Sequence, residues 1–132
     1  NRFIWYYWIK NSKGKIFENN NSYQITSSFH GFKTIGKNIW HQRKVKKIKN
    51  KLVWFIEDDF INADGYLKEI FFHINPKIKN RIKLEIQDLN GKYLKSKFKQ
   101  GWYSSIYGEK KESILLSCKS YNGFNTLIKI KT

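Results

Sequence analysis

The sequence predicts an all-β protein, either an antiparallel β-sandwich or stacked sheets, built from about ten short strands. Three observations support this prediction. Several segments alternate apolar and polar residues with the period of two that turns one face of a strand toward a core. Turn-forming residues recur at spacings of about ten residues. No segment has the periodicity of an amphipathic helix.

The cleanest alternation lies in Arg81–Asp88, where Ile82, Leu84 and Ile86 share one face. The strand before it ends at Pro76, because proline cannot donate a ladder hydrogen bond. The predicted strands are, in order, Arg2–Lys10, Ser22–Ser27, Val45–Ile48, Leu52–Phe60, Tyr66–Ile74, Arg81–Asp88, Tyr93–Phe98, Ser113–Lys119 and Thr126–Lys131.

Turn signals separate these strands. Asn11–Gly14 predicts a turn after the first strand, and Lys49–Lys51 has the length of a hairpin connection. The strongest signals are Ala63–Gly65 and Leu89–Lys92, since Asp-Gly and Asn-Gly favour tight turns. Asn122–Gly123 joins the last two strands.

The chain is strongly basic. Its 132 residues include 26 Lys plus Arg against 10 Asp plus Glu, which gives a formal net charge of +16. This balance predicts a polyanionic partner, such as an acidic polysaccharide, a nucleic acid or an anionic membrane surface. Because residue usage also follows AT-rich codons, part of the lysine excess reflects nucleotide composition instead of selection for a ligand. Codon usage alone does not explain why acidic residues are scarce.

Composition excludes several classes of protein. With 40% hydrophobic and 17% aromatic residues, the chain is too apolar for a disordered basic tail. No apolar run approaches the length of about 20 residues that a membrane span needs. Cys118 is the sole cysteine, which excludes a disulfide framework and a multi-cysteine zinc site. Because the chain lacks methionine and begins at Asn1, we expect a processed chain or a piece of a longer protein.

Residues that could carry catalysis show no catalytic pattern. His30, His41 and His73 lack the spacing of metal ligands, and we expect each of them on a different strand. The acidic run at 57–59 is interpreted as a solvated strand end, because neighbours along a strand point to opposite faces. Cys118 lies in an apolar strand, as an inert core thiol does. We therefore predict no catalytic residue, no metal site and no cofactor in this chain.

Basic and aromatic residues in two segments are the candidate substrate-binding residues. One set could line a polyanion track, and the other could stack on sugar rings or bases. Composition alone favours a simpler interpretation, in which the aromatics are core residues and the lysines form a solvated face. The candidate residues are Trp40, Arg43, Lys44 and Lys46 in the first segment and Trp102, Tyr103 and Tyr107 in the second.

A series of short motifs follows His30-Gly31-Phe32 along the chain. Residues 41–45 read H-x-R-x-V, 54–58 read W-x-I-x-D, 72–76 read F-H-x-x-P, and 101–108 read G-W-x-S-x-x-Y-G before a closing strand at 124–128. This order and spacing resembles the late β-sheet region of heparinase II/III-like polysaccharide lyases. One element departs from the family pattern, since Phe29 stands where the family has a histidine and Phe32 replaces a tyrosine.

The resemblance implies a larger parent protein. Family members pair a helical toroid with a C-terminal multi-sheet β-domain, and they cleave acidic polysaccharides by β-elimination. Residues 1–132 would then be a single β-sheet domain at the C-terminal end of such a protein. The catalytic histidine of the family's β-domain, and the structural zinc ligands of some members, lie in an earlier H-x-H-x-D segment that these residues lack. The resemblance thus implies a chain that is inactive alone.

Because these residues show no acid–base pair or cleft of the kind that elimination needs, we interpret the strands as scaffold. Arg43 and Asp58 would pair across neighbouring strands. The residues expected to pack are Trp54, Ile56, Phe71, His73 and Ile74.

The sequence leaves two main hypotheses for the function, one as part of an enzyme and one as a binding module. The first is the β-sheet part of a polysaccharide lyase, partnered by an upstream toroid domain and an acidic polysaccharide, with a periplasmic or extracellular location favoured by the resemblance. The second is an autonomous basic β-sandwich module that binds a polyanion without catalysis, for which no nucleic-acid signature is present. A purely structural or adhesive domain is a third possibility.

Overall fold

The strands of this chain form two antiparallel sheets. A computed structural model describes residues 10–32, 35, 38–104 and 106–131, with side chains described from Gly14 onward. A short 3-10 turn, Pro76–Ile78, follows the fifth strand. The strands are β1 (Lys10–Glu18), β2 (Ser22–His30), β3 (Trp40–Ile48), β4 (Val53–Ile61), β5 (Lys68–Ile74), β6 (Ile82–Asp88), β7 (Ser96–Tyr103), β8 (Lys111–Ser120) and β9 (Phe124–Ile130).

The larger sheet has six strands in the order β1-β2-β3-β4-β9-β6, and the smaller has three in the order β5-β8-β7. The first four strands are consecutive antiparallel neighbours along the chain. The last strand, β9, then inserts between β4 and β6 and pairs with both. The centre of the larger sheet is therefore assembled from segments that are far apart in sequence.

The core lies between the two sheets. Directly opposite residues point to the same face of a sheet, so the register assigns each side chain to an inner or an outer face. On the larger sheet, Ile86 and Phe124 point inward; on the smaller, Ile70, Leu116 and Cys118 meet them. Phe124 and Cys118 are each 1% exposed. Burying each large apolar side chain stabilises the fold by about 1.5–3 kcal/mol.

The predicted fold class is confirmed, with nine strands in the described part of the chain. The predicted strand Arg2–Lys10 lies outside the described residues except for Lys10. The turn predicted at Asn11–Gly14 is wrong, because β1 continues through it as an irregular strand paired with β2. The register shifts between Lys10 and Lys13, so a bulge replaces the turn.

Several other strand boundaries differ from the prediction, two of them at strand starts by three residues or more. β3 begins at Trp40 rather than Val45, since its polar first half pairs fully with β2 and β4. The strand predicted from Tyr93 begins at Ser96 instead, and Tyr93 makes an isolated bridge to Gln87 beside β6.

The predicted tight turns are confirmed by their backbone. Gly65 and Gly91 have φ angles of +77° and +83°, which L side chains rarely adopt. Asn50 reaches φ +56° in the connection between β3 and β4, a conformation that asparagine tolerates better than most residues.

Gly123 sits where β9 enters the sheet beside β4. A Cβ atom there would lie 2.1 Å from the carbonyl oxygen of Asp58 and 2.8 Å from Leu89 Cδ1. The backbones can approach this closely only because residue 123 has no side chain.

We expect Gly123→Ala to lower the free energy of unfolding by about 2–3 kcal/mol through overpacking. Gly14→Ala is the matched control, because its Cβ would meet only the Thr26 carbonyl oxygen at 3.8 Å. Urea unfolding measures both variants. Equal stability of the two would contradict the close approach at Gly123.

Thr126 is 2% exposed, and its Oγ1 atom has no hydrogen-bond partner among the residues that the structure describes. Because a buried unpaired hydroxyl costs free energy, Thr126→Val should raise the free energy of unfolding by about 1 kcal/mol. The same change at the half-buried Thr26 should have little effect. Thermal or urea unfolding of Thr126→Val and Thr26→Val measures both effects. A Thr126→Val protein less stable than wild type would show that the hydroxyl has a partner.

Candidate functional site

A buried carboxylate joins β3 to β4. The antiparallel register places Arg43 directly opposite Asp58, and His41 precedes Arg43 by two residues on the same face. His41 Nε2 lies 2.6 Å from Asp58 Oδ1. Arg43 Nε donates to the same oxygen at 2.6 Å, and its Nη2 donates to Oδ2 at 3.2 Å. The side chain of Asp58 is 1% exposed.

The electrostatics of Asp58 combine two opposing effects. Burial by itself raises the pKa of its carboxyl group, because removal from water penalises the charged form. Hydrogen bonds from His41 and Arg43, with the positive charge of the Arg43 guanidinium, outweigh burial and leave the pKa of Asp58 below its ordinary value of 3.8. Asp58 is therefore ionised and paired at neutral pH.

The aromatic neighbours of His41 hold its ring in place. The ring stacks on Phe60 with centroids 4.5 Å apart and meets Phe29 edge-on at 5.1 Å. With Nε2 directed at Asp58, one ring face stacked on Phe60 and Phe29 in edge-on contact, His41 is arranged as a structural donor to a buried carboxylate.

The structure confirms one prediction about this cluster and corrects another. Arg43 and Asp58 pair across neighbouring strands as expected. Asp58 is not part of a solvated strand end, because it points inward with Phe124 while Glu57 and Asp59 point outward.

The predicted packing of Phe71 and His73 is also wrong, since both lie on the exposed face of β5.

A second feature is a concave groove on the outer face of the six-stranded sheet, which we call the outer groove. It crosses β3, β4, β9 and β6 and has a volume of about 470 Å³. Two rows of directly opposite residues form most of it. The side chains that point into it from these rows are Lys46, Phe55, Leu127 and Glu85 in one, and Lys44, Glu57, Asn125 and Gln87 in the other, with Tyr93 at the β6 edge.

The charges in the outer groove are unevenly paired. Lys44 Nζ binds Glu57 Oε1 at 2.9 Å. Lys83 binds Glu85 at 2.6 Å, a contact that lowers the pKa of Glu85. Lys46 makes no ion pair within the described ranges of the chain, so its ammonium group is available to an anion. Each carboxylate in the groove thus has its own lysine, and one lysine is left over.

The sequence-predicted binding residues do not form one site. Lys44 and Lys46 share the outer groove, whereas Arg43 points to the opposite face and pairs with Asp58. Trp40 begins β3, where its ring lies 5.5 Å from that of His30. Because side chains alternate along β3, Arg43 lies on the face opposite Lys44 and Lys46.

The aromatic set lies on the smaller sheet. Trp102 and Tyr103 end β7, and Tyr107 is fully exposed in the connection that follows. The ammonium group of Lys110 lies 4.1 Å from the Trp102 ring centroid, so one face of this indole is covered by a cation. The structure does not bring this set together with the residues of β3.

Sequence reasoning missed Phe55, Leu127, Asn125, Gln87 and Tyr93 as groove residues. Alternation alone could assign Phe55 to the face opposite Trp54. It could not show that β9 lies beside β4, which is what brings Asn125 and Leu127 to this face.

The described residues contain no group of three or more His, Cys, Asp and Glu arranged to hold a metal ion. The three histidines occupy three different strands, as predicted. Cys118 is a buried core thiol, and burial raises its pKa. No helix among the described residues is long and apolar enough to cross a membrane.

The fold first defines a class of protein: the described residues form an all-β structure of two antiparallel sheets, with six and three strands. No family model matches the sequence, and no curated protein matches it. Among solved structures, the chain resembles the heparan sulfate lyase HepC from Pedobacter heparinus, with a TM-score of 0.68 and 16% identity over 92% of this chain. It also resembles a heparinase III with methylated lysines, with a TM-score of 0.69 and 16% identity over 94% of this chain.

These likenesses establish a shared fold. In both cases the chain spans 22% of the length of the solved protein. The structural relation that the sequence motifs implied is therefore present at the level of fold.

Replacing the buried carboxylate should destabilise the protein. Asp58→Asn removes the charge that both His41 and Arg43 face, and we expect a loss of about 3 kcal/mol in the free energy of unfolding. Asp59→Asn is the control, since that side chain is half-buried and accepts the Phe60 N–H. Urea unfolding at neutral pH distinguishes them, and equal losses would contradict a special role for Asp58.

Comparing wild type with Asp58→Asn also tests how the contribution of Asp58 to stability depends on pH. Because the folded pKa of Asp58 is lowered, its contribution is fully present above its ordinary value of 3.8 and is lost as pH falls through the lower folded value. The difference in stability between wild type and Asp58→Asn should therefore shrink as pH falls from 3.8 through the lower folded pKa of Asp58. A difference that stays constant in acid would contradict the lowered pKa.

Proposed function

We propose that this chain is the β-sheet domain of a heparinase II/III-like polysaccharide lyase. In this role it supports cleavage of an acidic polysaccharide by β-elimination without carrying the catalytic residues. The observation that carries the proposal is the shared fold with two lyases, one named for heparan sulfate, over more than nine-tenths of the chain. The ordered motifs between residues 41 and 128 agree with it.

Charge supports an acidic polysaccharide as the substrate class. The net charge of +16 attracts polyanions, and counterion release strengthens each contact between a lysine and an anionic group. The outer groove contributes Lys44 and the unpaired Lys46 to such a surface.

The buried cluster of His41, Arg43 and Asp58 supports a noncatalytic role for this chain. β-elimination needs a group that removes a proton from the substrate and a cleft that holds it. His41 is the best placed acid–base group among the described residues, but its Nε2 faces Asp58 and its side chain is only 12% exposed. It therefore suits a structural role better than proton transfer.

The remainder of the parent protein would include the upstream toroid domain. The solved lyases are more than four times as long as the part that this chain covers. On the inner face, Ile16 and Ile25 stand opposite each other and are 76% and 49% exposed, beyond the cover of the smaller sheet. An apolar surface of this kind suits contact with another part of the same polypeptide.

Binding and turnover of heparan sulfate test the proposal. The isolated chain should bind heparan sulfate with an affinity that falls steeply with salt, and it should release no unsaturated uronate, measured by ultraviolet absorbance. Absence of binding at low salt would overturn the substrate class. Release of unsaturated product would overturn the noncatalytic role.

A double variant locates the contact. Lys44→Gln with Lys46→Gln should reduce the slope of log affinity against log salt by about 1–2, following counterion release at two sites. Lys77→Gln with Lys79→Gln removes the same charge near the 3-10 turn and is the control. Equal effects of the two double variants would indicate diffuse attraction instead of a contact at the outer face.

The second candidate is an autonomous basic module that binds a polyanion without any lyase partner. The unpaired Lys46 and the fully exposed Tyr107 favour it, since neither requires another domain. Comparable affinity for heparan sulfate and for single-stranded DNA at the same salt concentration would support this alternative.

A further inference from the structure

The outer groove combines an apolar floor with polar walls. Phe55 lies near its centre and is 44% exposed, with Leu127 directly opposite on β9. Tyr93, 68% exposed, closes the side next to β6. Phe55 and Leu127 are directly opposite neighbours, so together they form a small apolar floor on which a flat ring can rest.

The polar groups of the outer groove match a sugar. Asn125 and Gln87 stand opposite each other on β9 and β6, and each side-chain amide offers both a donor and an acceptor. Paired amides of this kind can bind the vicinal hydroxyl groups of a sugar ring. The carboxylates of Glu57 and Glu85 add acceptors for hydroxyl groups, and each is neutralised by a lysine.

Lys46 supplies the specificity for charge. It stands directly opposite Phe55 on the adjacent strand, at a backbone spacing of about 4.8 Å. A ring seated on Phe55 can therefore direct an acidic substituent at the Lys46 ammonium group. The groove volume of about 470 Å³ lies in the range of small-ligand sites.

From this arrangement we propose that the outer groove binds one segment of an acidic oligosaccharide, with a sugar ring on Phe55, hydroxyl groups on Asn125 and Gln87, and an acidic substituent on Lys46. The site rests on the proposed function for its substrate class. It differs from general attraction to lysines because it requires a sugar ring as well as a charge.

Phe55→Leu is the decisive variant. Leucine keeps the apolar floor but removes the flat ring face, so the fold should remain stable while affinity for a heparan sulfate oligosaccharide falls about fivefold to tenfold. Affinity for inorganic polyphosphate, which has charge but no sugar ring, should not change. Phe71→Leu, at a 48% exposed residue on the other sheet, is the matched control.

Nuclear magnetic resonance locates the contact independently. The side-chain amide signals of Asn125 and Gln87 should shift when the heparan sulfate oligosaccharide is added, while those of Asn75 and Gln100 should not. Lys46→Gln should weaken binding of both the oligosaccharide and polyphosphate.

The outcomes separate the groove from the proposed function. Suppose that wild type binds the oligosaccharide, that the Phe55→Leu variant binds it equally tightly, and that the amide signals do not shift. The groove assignment is then overturned, while the substrate class stands. If Phe55→Leu weakens oligosaccharide and polyphosphate equally, stacking is overturned. Absence of oligosaccharide binding by wild type overturns both proposals.

Discussion

The buried carboxylate of Asp58 constrains the central part of this fold. A charge that is 1% exposed is tolerated only with donors in place, and His41 and Arg43 supply them from the neighbouring strand. These contacts require the register in which β3 and β4 pair. On the other side, Gly123 lets β9 approach the Asp58 backbone closely. One residue thus ties together three central strands of the larger sheet.

The register that directs Asp58 inward also determines the outer face. Lys44 and Phe55 alternate with the residues of the buried cluster, so they must point to solvent. Because β9 lies between β4 and β6, Asn125 and Leu127 complete a groove across four strands. The inner face therefore stabilises the sheet, and the outer face presents the basic and aromatic residues on which the proposed polysaccharide contact depends.

Local patterns predicted much of the fold. Alternation located most strands, and Gly65 and Gly91 occupy the predicted turns with positive φ angles. The pairing of Arg43 with Asp58 followed from the order of two strands joined by a short connection. The turn at Asn11–Gly14 was wrong because pairing with β2 outweighs local turn preference. Asp58 was misjudged because an acidic run gives no sign of donors on the adjacent strand.

The sequence by itself determined that this chain is all-β, which residues alternate along each strand, and how basic the surface is. These properties depend on residues near one another along the chain. Only the tertiary structure decided that β9 inserts between β4 and β6, that Arg43 serves a buried carboxylate, and that Lys46 and Phe55 share a groove with Asn125. Pairing between strands distant in sequence depends on mutual burial of side chains, which no local pattern specifies.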